Sequence, residues 1–240
     1  MTTAATVLNL ASQQLVDISQ IKWFPDLLIG YLNLALKEIV NLKPDAYTKL
    51  GRMTLVSGIQ QPLPATITVD GDSLPVLNVL DVTYNMGTSG TTIGDAILEI
   101  PKNKMDNLLP NWTTFPATTD VKYAVTDDRD PKNWYCFPPQ PSPAPGQQIQ
   151  ALFQVLPVPI AAASDTFPLD DSFIPACVNY VVGRALLERT EGTNAQQLHQ
   201  KGQWFMTEFM RNLGLKTNIE QGEEQKQIQR RVSQNKNQNN

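Results

Sequence analysis

Sixteen of the eighteen prolines in this 240-residue chain lie between Pro44 and Pro168. Proline fixes φ and has no amide proton to give. It interrupts helices and is confined to the edges and bulges of sheets. Long helices are therefore restricted to the two ends of the chain, and the middle is left to short strands and turns. The length allows a real core in one or two domains. No window approaches the roughly 18–20 consecutive apolar residues of a membrane span. The first residues, MTTAATVLNLASQQLVD, lack a basic n-region and a long apolar run, so no secretory signal is expected.

The apolar pattern agrees with that division. Val7, Leu8, Leu10, Ala11, Leu15 and Ile18 predict one amphipathic helix over 5–18. A second helix follows, with the pairs Trp23-Phe24, Leu27-Leu28, Tyr31-Leu32, Ala35-Leu36 and Ile39-Val40 spaced by four. Pro25 suits its first turn, Asp26 complements its dipole, and Pro44 ends it. Four residues advance a helix by about 400°, so the stripe winds by about 40° per step. Such a helix meets several neighbours, either within the chain or in adjacent subunits.

From about residue 50 the period changes to two. Strands are predicted at Met53–Ser57, Ala65–Val69, Leu74–Tyr84, Ile97–Ile100, Val121–Thr126, Trp134–Phe137 and Ile149–Leu156. Gln61 to Pro64, Gly71, Gly87 to Gly94 and Pro138 to Gly146 read as the turns between them. Helix pattern returns after Pro168. Asp170-Asp171-Ser172 offers capping oxygens before Phe173, Ile174, Cys177, Val178, Val181, Val182 and Ala185. A last helix carries Leu198, His199, Gly202, Phe205, Met206, Phe209 and Leu213, with Thr193 and Gln196 as a capping box and Gly214 as its stop. Beyond it no core-forming pattern remains.

The formal net charge is −4, but residues 215–240 hold five Lys and Arg against three Glu, which leaves −6 on residues 1–214. An acidic body is a poor grip for nucleic-acid phosphates. A polar, basic tail can touch an acidic partner.

Few residues point to chemistry. Cys136 and Cys177 have no CxxC partner and read as buried hydrophobes. The single histidine, His199, lies on the apolar-periodic face of the last helix and reads as a packed or interface residue. No P-loop, GxSxG, HExxH or GxGxxG occurs. The densest acidic cluster, Asp127-Asp128-Arg129-Asp130-Pro131, reads first as a hairpin turn. Paired carboxylates can also serve glycoside hydrolysis or hold calcium. With Trp112 or Trp134 as a stacking surface, they define a second reading: a carbohydrate-binding or cell-wall-hydrolysing tail-associated protein.

An ordered set of pieces then stands out. It runs Trp23, Leu27-Leu28, Tyr31-Leu32-Asn33, Ala35-Leu36 and Lys43-Pro44-Asp45-Ala46; then Gln60 to Pro64; then Val79, Val82 and Tyr84-Asn85-Met86-Gly87. Met105-Asp106, Leu109-Pro110-Asn111-Trp112, Tyr123, Asp127, Asp130-Pro131, Trp134-Tyr135, Phe137-Pro138-Pro139, Tyr180-Val181 and Arg184-Ala185 complete it. Across about residues 20–210 the chain resembles the head-to-tail adaptor (connector) proteins of tailed bacteriophages, in particular short-tailed ones.

The resemblance implies a virion structural protein of the phage neck, assembled in the bacterial host cytoplasm. It implies a ring, usually of twelve copies, between the portal protein and the nozzle or tube proteins of the tail. Double-stranded DNA passes through such a ring, which lengthens the channel. The resemblance brings no catalytic residue, cofactor, metal or membrane. Relatives of this kind extend their C-terminal segment along the portal, which points here to Leu215, Ile219, Ile228, Arg230, Arg231 and Val232. The winding helix points to Trp23, Leu27, Tyr31, Leu32 and Leu36 as a subunit-interface face.

The expected architecture is α+β in one compact assembly. Residues 1–48 and 170–214 form a helical bundle. Residues 49–169 form an inserted antiparallel β-sandwich or barrel-like unit, and 215–240 an extended tail.

Overall fold

The structure, a computed structural model, describes residues 2–127, 129–188 and 195–214. In chain order it begins with helices α1 (Ala4–Gln14) and α2 (Pro25–Leu42), then strands β1 (Thr48–Thr54), β2 (Gly58–Pro62), β3 (Thr66–Val69), β4 (Asp72–Gly87) and β5 (Leu98–Pro101). It continues with α3 (Lys102–Leu108), β6 (Tyr123–Thr126), β7 (Asn133–Gln140), β8 (Gln148–Val155), α4 (Ile174–Leu187) and α5 (Ala195–Asn212). The chain is α+β and forms two compact units. One takes the chain up to Lys43 and again from Pro159; the other is Pro44–Val158.

In the helical unit, α4 is the most buried helix. Cys177, Val181 and Val182 are fully enclosed, and Ala176 and Ala185 almost so. Helices α1, α2 and α5 all pack against it. The α4–α5 crossing is close because both helices present glycine there. A Cβ on Gly202 would lie 2.9 Å from Leu187 Cγ and 3.1 Å from the Gly183 carbonyl. Helix α2 follows the expected signals: Pro25 in the first turn, Asp26 beside it, and Lys43 as the last cap before Pro44. It buries Leu28, Leu32, Ala35, Leu36, Ile39 and Val40. The segment from Pro159 is zipped onto the first residues of the chain. Thr3 bridges Thr166, and the Ala4 amide donates to the Asp165 carbonyl at 2.9 Å. Asn33 on α2 holds Ile160 through both of its backbone groups, at 2.8 and 2.9 Å.

Helix α1 stops four residues before the expected 18. The chain turns out at Val16 and Gln20, with φ of 55° and 49°. The Asp17 carboxylate accepts from the amides of Ile21, Lys22 and Trp23 at 3.2, 2.9 and 2.9 Å. An aspartate that binds nearby amides competes with helix propagation, a local effect that apolar spacing does not register. Ile18, expected on the buried face, is 79% exposed.

The β unit holds two four-stranded sheets, ordered β1-β8-β4-β3 and β2-β7-β6-β5. Neither closes into a barrel. Strands β1 and β3 approach across the first sheet, where Gly51 leaves room for Ile67 and Phe153, but no ladder joins them. Pairing is antiparallel except between β5 and β6, which run parallel. Helix α3 and the turn at Trp112–Thr114 provide the crossover that a parallel pair requires. Strand β2 falls where the sequence suggested a turn. As an edge strand it tolerates Pro62. Strand β7 runs on through Pro138-Pro139 because the register slips there: Gly58 faces Gln140 while Gln60 faces Tyr135. A core of Leu74, Val82, Trp134, Cys136, Ile149 and Phe153 draws on both sheets.

The α4–α5 crossing leaves no room for a side chain. Replacing Gly202 by Leu is expected to lower the unfolding free energy by about 1–3 kcal/mol, read as a lower denaturant midpoint.

Candidate functional site

Three residues of the β unit, Gln61, Asn85 and Trp112, spend their polar groups on internal fastening. Gln61 is fully buried in β2 and behaves like a strand: its Oε1 accepts from the Val56 amide and its Nε2 donates to the Val56 carbonyl, both at 2.8 Å. Asn85, 2% exposed on β4, donates to the Val121 and Asp95 carbonyls at 2.8 and 3.1 Å and accepts from the Val121 amide at 2.9 Å. It thereby ties β4 to the approaches of β5 and β6. Trp112 donates its indole proton to Asp106 at 2.8 Å and stands edge-on to Tyr135. A buried polar atom without a partner costs roughly 1–3 kcal/mol, so each pairing specifies one local geometry.

The acidic cluster forms the β6–β7 turn. Arg129 clamps Asp127 through Nε and Nη2, both at 2.9 Å, and Lys102 approaches the same carboxylate at 3.5 Å. The Asp130 carboxylate accepts from the Asn133 side-chain Nδ2 at 2.9 Å and from the Tyr135 hydroxyl at 3.3 Å. Asp128 lies outside the described residues. The Arg129 hydrogen bonds hold the Asp127 carboxyl well below the usual carboxylate range, so it stays charged rather than serving as an acid. An open depression beside the turn is lined by Glu99, Lys102, Asn103, Lys104, Thr126 and Arg129. The stacking surface proposed for a sugar is not there. Trp112 and Trp134 are 2% and 1% exposed, because both rings fill cores. Aromatics alternating along strands pack inward, and their types alone do not separate this from a binding platform.

The two cysteines are fully buried and free. Burial pushes the Cys136 thiol up to about 11 and Cys177 up to about 12, which leaves no reactive thiolate at neutral pH. His199 is not packed. It lies on the exposed side of α5 and its ring contacts Gln203 at 3.1 Å. The α5 periodicity is right, but the buried arc runs through Gly202, Phe205 and Phe209 and leaves His199 outside it. Among the described residues no group of three His, Cys, Asp or Glu could hold a metal ion. No described helix is long and apolar enough to cross a membrane.

The proposed interface residues divide. Trp23, Tyr31, Leu32 and Leu36 are at most 7% exposed, whereas Leu27 is 41% exposed. The Trp23 indole donates to the Ala185 carbonyl at 3.3 Å, and the Tyr31 hydroxyl donates to Glu188. The two hydrogen bonds tie the start of α2 to the C-terminal end of α4. Leu215, Ile219, Ile228, Arg230, Arg231, Val232 and the Thr193 capping box lie outside the described residues. Reading the sequence for sites missed the exposed apolar run Val16, Ile18, Ile21 and Phe24 between α1 and α2. Its signal was Asp17, which marks a turn inside an otherwise helical pattern.

A helical unit assembled from both ends of the chain and a β unit inserted in the sequence between them define an α+β protein. The sequence model of the SU10 adaptor protein family matches residues 2–233, and the chain belongs to that family. This is a phage adaptor family, so the resemblance to head-to-tail adaptors holds over nearly the whole chain. No curated protein matches the chain.

Asp127 titrates with a folded value below its unfolded one, so it stabilises the fold above the ordinary aspartate range near pH 4, and that contribution is lost as pH falls toward the folded value. In urea titrations, Asp127→Asn should be less stable than the parent at pH 7, and the gap should narrow as pH is lowered below about 4.

Proposed function

We propose that the chain is a non-enzymatic head-to-tail adaptor of the virion neck. Copies join side by side in a closed ring, expected to count twelve, between the portal ring and the nozzle or tube proteins of the tail. The ring extends the channel for double-stranded DNA and offers the tail a docking surface. The observation that carries this reading is the adaptor-family match over residues 2–233.

Charge supports it. The body, residues 1–214, carries −6 and offers few cations to hold passing phosphates, while residues 215–240 carry +2. The tail, through Leu215, Ile219, Ile228, Arg230, Arg231 and Val232, docks on the portal. A polar segment that orders on binding wraps a large surface at an entropic cost. Within the ring the exposed Leu27 marks the side of α2 that faces a neighbour. Among the described residues the carbohydrate reading finds no support, since the Trp112 and Trp134 rings are buried and the Asp127 and Asp130 carboxylates are engaged.

Deletion of residues 215–240 should leave a folded body, with unchanged far-ultraviolet circular dichroism, that no longer co-sediments with portal rings. Undiminished co-sedimentation of the truncated chain rules out the docking role of the tail.

A further inference from the structure

The large apolar side chains exposed on the helical unit gather at one place. Six of the sixteen exposed among the described residues fall between Val16 and Leu34. Val16, Ile18, Ile21 and Phe24 are 65–87% exposed on the loop entering α2, and that loop is held by the Asp17 carboxylate. The surface continues along α2 through Leu27 and Leu34, seven residues apart and therefore on one face, each 41% exposed. An apolar patch this continuous on a folded unit marks an interaction site.

Between the two leucines stands Gly30. Nothing lies within 4 Å of the position its Cβ would take. A glycine inside an exposed helix weakens it relative to alanine, and no contact within the chain requires it here. Gly183 and Gly202 show the contrasting case, where two helices of this chain cross closely. Gly30 offers the same kind of recess, flanked by Leu27 and Leu34, and leaves it open.

Helix α5 carries the complementary feature. Its outer side is polar except for Trp204, which is 55% exposed. Tryptophan dominates interface energetics when it fills a recess. Helix α4 packs against both α2 and α5, whereas α2 and α5 share no comparable contact. The outer faces of α2 and α5 therefore lie on different sides of α4. Two different, complementary patches on different sides of one unit are what a head-to-tail interface needs, and such an interface closes into a ring when its rotation allows.

We infer that Trp204 of one copy seats over Gly30, between Leu27 and Leu34, of the next copy, making this the subunit contact of the ring. The inference rests on the ring reading above. Charge selects the direction of the contact. With the helices parallel, exposed Lys201, one turn before Trp204, comes beside exposed Asp26, one turn before Gly30. Run the other way, Lys201 comes beside Asn33, and Glu208 takes its place opposite Asp26.

The test uses full-length chain carrying Gly30→Cys or Trp204→Cys, mixed with portal rings and oxidised. Both native cysteines are buried and do not compete. A mixture of the two variants should give a disulfide-linked dimer, the double variant a ladder of multimers, and Gly30→Cys alone no dimer. If rings form by mass but the mixed pair stays unlinked, or if Gly30→Cys links to itself, the contact is wrong while the adaptor reading stands. If no ring forms with parent chain, both fall. Linkage within one chain between Gly30→Cys and Ile219→Cys assigns the stripe to the C-terminal segment and also overturns the contact. Independently, Gly30→Ala should raise the thermal midpoint of the free chain and reduce ring formation at least tenfold in half-saturating concentration. A variant that is stabilised and assembles normally contradicts the role of the recess.

Discussion

The antiparallel ladder between β1 and β8 is the constraint on which the rest of the structure depends. Thr48 lies opposite Gln154, and the Val155 amide donates to the Tyr47 carbonyl at 3.3 Å. The β unit therefore begins and ends on neighbouring strands. The chain that leaves the helical unit after Lys43 re-enters it at Pro159. Without that pairing, bringing α4 onto α2 would require closing a loop of more than a hundred residues, with the corresponding entropy. With it, the insert acts as a short connection, the arrangement in which inserted units are tolerated. The first and last parts of the chain can then surround α4. The backbone zipper between Thr2–Ala5 and Ala163–Phe167 secures the return.

The second principle is that polar groups inside the β unit specify geometry rather than reactivity. Gln61, Asn85 and the Trp112–Asp106 pair each satisfy backbone or side-chain groups at turns and crossovers. Asp127 is clamped by Arg129 and Lys102. A satisfied buried amide contributes modestly to stability, but leaving its partner unpaired is costly, so these residues favour one register over its alternatives. That suits a part whose value lies in presenting fixed surfaces. It also explains why a search for acids, bases and nucleophiles meets residue types familiar from active sites that are already committed elsewhere.

Much of the fold was legible because its signals are local. Proline positions separated the helical ends from the β middle, Pro25 and Pro44 bounded α2, and Gly214, with φ of 71°, stands where the α5 stop was expected. The departures came from longer-range or competing effects. Asp17 captures three amides and ends α1 early, which apolar spacing cannot show. Strand β2 and the Pro138-Pro139 stretch of β7 are strands only because they meet in an irregular register, so their prolines read as loop in isolation. The parallel β5–β6 pair depends on α3 as a crossover, and the period-two signal carries no direction. At the candidate site, the turn at Asp127–Asp130 was readable from its Asp-Pro step. The burial of Trp112 and Trp134 was not, because alternation in a strand leaves open which face is covered. The helical stripe of α2 located the helix but not which of its residues are covered: Tyr31, Leu32 and Leu36 are buried within the chain, whereas Phe24 and Leu27 are exposed.

A protein of this kind acts through the surfaces it keeps uncovered, and among the described residues six of the exposed large apolar side chains fall between Val16 and Leu34 on the helical unit. The most direct measurement is the native mass of the full-length chain, alone and mixed with portal rings. A monomer that joins the portal as one closed ring of fixed copy number is the expected result. A chain that stays monomeric in the presence of the portal contradicts it.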